Sequence, residues 1–152
     1  MKPLDRIDRR LLDLLQHNGQ LTAHELADKV DLSPSPCARR IRRLQQEGWI
    51  QRYRAELSRE KLQLDITVFV HVRLNQHQDA VIEQFEQTVK DMAQVVSCHT
   101  VSGAFDYLLQ VVARDLRDYE SWVRRLQKLP NVNTIDSSFA IREVKAGGPL
   151  PL

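Results

Sequence analysis

The apolar residues of this chain keep one period up to Leu44 and another from Ile66 onward, and no single packing arrangement serves both. Leu4, Ile7, Leu11, Leu12, Leu14 and Leu15 recur at three and four with charge between them, as in an amphipathic helix. Ile66-Thr67-Val68-Phe69-Val70-His71-Val72-Arg73-Leu74 is rich in β-branched residues and alternates, as in a strand. A chain of 152 residues can build one medium core or two small ones. The change of period favours two: a helical domain over 1–54 and a mixed one over 65–145, with a polar connection at 55–64 and a tail at 146–152.

In the first half the helix from Leu4 ends at Asn18-Gly19. Thr22 with Glu25 three residues on carries the capping-box signature, and Leu26, Ala27 and Val30 give the short second helix an inner face. After a turn at Asp31-Leu32, Ser33 suits an N-cap, and Pro34 and Pro36 fall in the first turn, where a missing N–H breaks no intrahelical bond. Steps of about 100° put Cys37, Ile41 and Leu44 on one face of this third helix. Ser35, Arg39, Arg42, Arg43 and Gln46 fall around the opposite face, with Arg40 on the flank. Gly48 closes the helix, and Trp49 to Arg54 alternates like a strand; Arg52 within it is a further candidate DNA contact.

Three short helices with a tight turn before an arginine-faced third form a helix-turn-helix, which sets its last helix in the DNA major groove. Guanidinium groups pair with phosphate and also read guanine with two parallel bonds, and the helix start at Ser33 and Ser35 offers N–H groups to phosphate. The competing account is a solvated charged face. Arg40 has a second role open to it, tying down the first helix through Asp5 or Asp8. Cys37, on the inner face, reads as a small buried hydrophobe.

Charge supports a local nucleic-acid surface over a global one. The net charge is only +2, yet residues 1–60 carry 12 basic against 9 acidic side chains and the remainder 10 against 11. No apolar run approaches the roughly 20 residues of a membrane span, and the first ten residues lack the apolar core of a signal peptide, so a cytoplasmic protein with no membrane partner is expected. Cys37 and Cys98 are far apart in sequence and belong to no metal-spaced cluster, so both are expected as free thiols.

Beyond Leu64 the order reads βαββαβ. The strand at 66–74 is followed by a helix over 79–92, a strand over 94–101, a short turn at Ser102-Gly103-Ala104, and a strand over 107–113 apolar enough to be covered on both faces. A helix capped by Asp115 or Asp118 turns Tyr119, Trp122, Val123 and Leu126 inward; Pro130-Asn131 breaks it, and Val132 to Val144 supplies the last strand. This is a ferredoxin-like α/β sandwich, which makes the whole chain α+β. His71, His77 and His99 are scattered, and neither a phosphate loop nor a metal spacing occurs, so no enzyme and no cofactor is expected. In Gly103-Ala104-Phe105-Asp106-Tyr107, the carboxylate of Asp106 either caps its own hairpin or accepts bonds from an ammonium group.

Four segments together resemble the Lrp/AsnC (feast/famine) family of transcription factors: LDRIDRRLLDLLQHNGQLTAHELADKVDLS, SPSPCARRIRRLQQEGWI, VSGAFDYLLQV and LPNVNTIDSSFAIREVK. The closing Leu-Pro-Leu is similar to the tail of a proteobacterial subgroup. The resemblance implies double-stranded DNA as partner and a homodimer built through the sheets of the second domain. It further implies four dimers assembled as an octamer and an amino-acid effector held between dimers. Carried over by position, the effector site comprises Val101, Ser102, Gly103, Asp106 and Tyr107, with Ser137 and Ser138 from a neighbouring chain. Ser137-Ser138 stands where the family often has a threonine or larger residue. Two regulatory readings follow, a sequence-specific regulator or an architectural protein that wraps DNA with little base preference; an amino-acid-sensing module of an enzyme is the third.

Overall fold

The computed structural model describes residues 3–152. Its elements are α1 (Arg6–His17), α2 (Ala23–Lys29), α3 (Pro34–Gln46), β1 (Ile66–Leu74), α4 (Asp79–Lys90), β2 (Val95–Thr100), β3 (Tyr107–Ala113), α5 (Leu116–Gln127) and β4 (Val132–Phe139). They divide into two compact units, residues 1–56 with 145–152, and residues 57–144.

The first unit is built on three helices whose starts are written in the sequence. Asp5 caps α1 by accepting the Asp8 N–H at 2.8 Å, and Asp8 returns the bond to Asp5 N–H. Thr22 and Glu25 form the same reciprocal box on α2. Asp31, at φ 54°, makes the turn into α3, whose N-cap position is Ser33, although the serine side chain makes no capping bond. Gly48 follows the last turn with φ 79°, the left-handed conformation that lets the chain leave the helix without strain. Leu11, Leu26, Ala27, Cys37 and Leu44 form the fully buried centre of this unit.

The alternation at Trp49–Arg54 does not become a strand; the backbone there is irregular. The described residues of this unit offer no partner strand, and an isolated strand would leave its N–H and C=O groups unpaired. Ile50 alone of these residues packs on the core, while the Tyr53 ring lies over Gly19, where a Cβ would approach it to 3.0 Å. In the tail, Leu150 donates its N–H to Gln16 Oε1 at 2.8 Å and accepts from Gln16 Nε2 at 3.0 Å.

The second unit is a four-stranded antiparallel sheet in the order β2-β3-β1-β4. Register puts Val70 between Leu109 and Ser137, and Val72 between Tyr107 and Ile135. These alternate residues face α4 and α5, and with Phe85, Val89, Tyr119, Trp122 and Leu126 they make the core. Asp115 caps α5 through the Asp118 N–H.

Two expectations for this unit change. The last strand stops at Phe139 and does not reach Val144, because its ladder partner β1 begins at Ile66; Ala140 N–H to Thr67 O is the final rung, and Ile141 lies 99% exposed. The outer side of β3 is not fully covered within the chain. Leu108 and Gln110 are half-exposed there, on an open sheet face shared with Phe69, His71 and Ser138.

Candidate nucleic-acid interface and effector site

Helix α3 sorts its arginines into two sets. Ser35, Arg39, Arg42 and Gln46 recur at four, three and four, so they stand in one exposed stripe. Such a stripe presents two guanidinium groups and two smaller polar groups to whatever lies against the helix. Ser33 is exposed at its entry, where the free N–H groups of the first turn collect positive potential, and Arg52 is exposed on the irregular segment that follows.

Arg40 and Arg43 belong to the second set. Arg40 Nη1 donates to Asp5 Oδ2 at 2.5 Å and to Asp8 Oδ1 at 2.8 Å, and Arg43 Nη2 donates to Asp8 Oδ2 at 2.5 Å. Asp8 is wholly buried. Of the two roles open to Arg40, the structure therefore has it holding α1 to α3. Arg43 corrects its expected place on the outward face, since helical geometry sets it about 70° from the centre of the stripe, near enough to the flank for a long side chain to fold inward. The Arg43 Nε atom is buried without a partner, so its remaining donors are less free than those of Arg39 or Arg42. The Asp8 N–H, aided by Arg40, holds the Asp5 carboxyl well below its ordinary 3.8, at about 2. Cys37 is buried and its thiol is pushed up by desolvation, the behaviour of an inert core group.

The turn between β2 and β3 is held from β1. Val101 N–H donates to Asp106 O and Asp106 N–H to Val72 O, both at 2.9 Å. The Asp106 carboxylate does not cap its own hairpin. Its Oδ2 accepts the Leu74 N–H at 2.7 Å, and its Oδ1 lies 2.8 Å from His77 Nε2. Burial works to raise this carboxyl, but the Leu74 N–H, His77 and the charge of Arg73 outweigh it and keep it low. Arg73 Nε donates to Ala104 O at 2.7 Å, Nη2 joins it, and the guanidinium lies 5.6 Å from the Phe105 ring centre. Gly103 takes φ 115°, and a Cβ built there would meet nothing within 4 Å, so the tip of the turn is open on that side.

Not every expected residue of this site can reach it with its side chain. Ser102 and Gly103 are exposed and Val101 is half-buried at the turn. Tyr107 is buried on the helix side, its hydroxyl donating to Glu86 at 3.1 Å and its acidity suppressed by burial and that carboxylate; only its backbone faces the turn. Ser137 also faces the helices, 2.5 Å from the Tyr119 hydroxyl, whereas Ser138 stands on the open face opposite Phe69. Adjacent strand residues point to opposite faces, so the two serine side chains cannot enter one pocket. Arg73 and His77 were not singled out for this site. Arg73 is on β1 and His77 in the connection that follows it, both remote in sequence from the turn, and the pairing of β1 with β3 brings them to it.

Among the described residues no group of three or more metal-ligating side chains comes together, and no helix is long and apolar enough to cross a membrane. A helix-turn-helix head with an exposed cationic stripe, on a chain that also carries a ferredoxin-like unit, defines a DNA-binding transcriptional regulator. Residues 4–51 match the family model for winged helix-turn-helix DNA-binding, and residues 67–150 match that for the Lrp/AsnC ligand binding domain. The chain is 41% identical over 150 residues to the leucine-responsive regulatory proteins of Klebsiella pneumoniae and of Escherichia coli K12, covering 98% of its own length and 92% of theirs. It is also similar to a transcriptional regulator of Neisseria meningitidis solved as an L-Met complex, with TM-score 0.94 and 37% identity over 98% of this chain and 97% of that one. An AsnC family regulator of Agrobacterium tumefaciens gives TM-score 0.93 and 35% identity, covering 97% of each chain. The chain belongs to the Lrp/AsnC family of transcriptional regulators.

Proposed function

We propose that this regulator binds double-stranded DNA as a homodimer, or as a higher oligomer of dimers up to an octamer, and that a free amino acid alters that binding. The boundaries 1–54, 55–64, 65–145 and 146–152 serve as reading head, connection, effector and assembly domain, and tail. The exposed stripe of Ser35, Arg39, Arg42 and Gln46 carries the DNA reading. Arg39 and Arg42 have no intramolecular carboxylate among the described ion pairs, so their charge is available to phosphate or guanine. Ser33 and Arg52 flank the stripe as phosphate contacts, while Arg40 and Arg43 act by fixing the pose of α3. The effector lies at the turn of Val101, Ser102, Gly103, Asp106 and Tyr107, with Ser138 more suited than Ser137 to reach it from a neighbouring chain.

An amino acid is the effector class most consistent with the carboxylate of Asp106 beside an open glycine tip, and a relative was solved with L-Met. The experiment is the thermal midpoint of the purified protein with each common amino acid at millimolar concentration. A ligand at about 100 times its dissociation constant stabilises by roughly 2.7 kcal/mol, a rise of a few degrees in a chain of this size. A flat response across all twenty would refute the effector assignment.

A further inference from the structure

We infer that Arg73 and His77 complete a head-group site for a free amino acid at the turn of 102–106: Arg73 takes the carboxylate, and His77 holds the Asp106 carboxylate in place for the ammonium. The inference rests on the effector reading above and adds to it two residues that no motif supplied. A zwitterion presents two opposite charges on one carbon, so its site needs a cation and an anion with open space between them. The turn has both. The Arg73 guanidinium spends Nε and one Nη2 hydrogen on Ala104 O, which leaves Nη1 with two donors. Its side chain is held by that carbonyl and lies over the Phe105 ring, so its geometry is set before any ligand arrives. No carboxylate forms an ion pair with Arg73 among the described residues, and its charge reaches Asp106.

Asp106 keeps acceptor capacity as well. Each carboxylate oxygen has about two lone-pair positions, and the Leu74 N–H and His77 use one on each. Leu74 is a fixed backbone donor on Oδ2, and the 61% exposed His77 holds Oδ1 through Nε2, so the two together fix the plane of the carboxylate.

The test uses the full-length protein and the strongest-binding member of the twenty amino acids, L-leucine and L-methionine first, with its primary amide, which keeps the ammonium and lacks the carboxylate charge. Wild type is expected to prefer the acid by about tenfold or more, by calorimetric titration at pH 7.5. Arg73→Gln should bind acid and amide alike, and Arg73→Lys should recover part of the preference, since it restores charge without the two-pronged hold on Ala104. Equal loss for both ligands in Arg73→Gln would mean that Arg73 only shapes the turn, and would overturn its role. His77→Ala should weaken acid and amide alike by loosening Asp106, and His77→Gln, which keeps a donor, should recover part of that loss. Unchanged affinity for both ligands in His77→Ala would overturn the histidine role. Binding of acid and amide with equal strength by wild type defeats the head-group site but spares the effector reading; no binding of any amino acid defeats both.

Discussion

The arginines of α3 fall into an exposed set and an ion-paired set, and single substitutions separate them. Arg39 and Arg42 stand in the exposed stripe, so Arg42→Ala should leave stability within about 0.5 kcal/mol and flatten the salt dependence of DNA binding by about one if the side chain holds a phosphate. Arg39→Ala should cost about 1–3 kcal/mol of affinity on a specific site if it reads a base. Arg43→Ala should behave differently. It removes one of the two ion-pair partners of the buried Asp8 while Arg40 keeps the other, so about 1–2 kcal/mol of stability goes with little change in salt slope. Melting curves with fluorescence anisotropy titrations at several salt concentrations measure both quantities, and an Arg43 variant that lost salt slope without losing stability would return this residue to the outward face. The sequence already implied a cationic helix, but it did not reveal which arginines were taken. That division depends on Asp5 and Asp8, more than thirty residues upstream, and on a difference of about 70° around the helix that a long side chain can close. At the turn of 102–106, Asp106→Ala should abolish the proposed response to an amino acid while DNA affinity is kept, as read by the same titration with and without ligand. A persistent response would remove Asp106 from the site.

Elements whose signals are local were legible from sequence, and those that needed a partner were not. Thr22 and Glu25 write the start of α2, Pro34 and Gly48 bracket α3, and the alternation of 66–74 is β1 to the residue. The strand signals at 49–54 and 140–144 are of the same kind and fail, because a strand needs a neighbour: the first has none among the described residues, and the second runs past the start of β1. The cap of α1 joins element to function, since Asp5 both closes the helix start and meets Arg40 from α3. Its carboxyl is depressed in the folded chain to about 2 from an ordinary 3.8. A depressed carboxyl contributes stability that is fully present above the unfolded value and is lost as pH falls through the folded one, so the loss attributable to Asp5 falls between about pH 4 and pH 2. Asp5→Asn, which can still cap, should remove that part of the acid transition while leaving the neutral-pH structure intact. Chemical denaturation of both proteins at pH 7 and pH 3 measures it; an identical difference between the two pH values in each would show that Asp5 does not contribute.

At the scale of the whole molecule the open face of the sheet is the largest consequence of the fold. One side of β1 and β3 is sealed by α4 and α5, while the other exposes Phe69, with Leu108 and Gln110 half-covered beside it, in the middle of the sheet and not at its rim. Central apolar positions facing water cost stability in a small domain, and a second copy of the same face would remove that cost symmetrically. The period of β3 hinted at this, because Tyr107-Leu108-Leu109-Gln110-Val111-Val112-Ala113 is too apolar for a half-solvated strand; the sequence could not say that the chain itself leaves the second face open. If a second copy supplies it, Leu108→Glu places two like charges in the centre of the joined faces. Sedimentation at micromolar concentration should then give a monomer of the 17.7 kDa chain where wild type gives a dimer or larger. DNA affinity should fall by two orders of magnitude or more, roughly the avidity lost when two linked heads become one. The substitution lies on the face away from the helix-side core, so the monomer should retain its secondary structure by circular dichroism, which distinguishes lost assembly from lost folding. A Leu108→Glu protein that still sediments as the wild type does would place the self-association surface elsewhere, with the edge strands β2 and β4 next in line because their outer backbone groups are unpaired within the sheet.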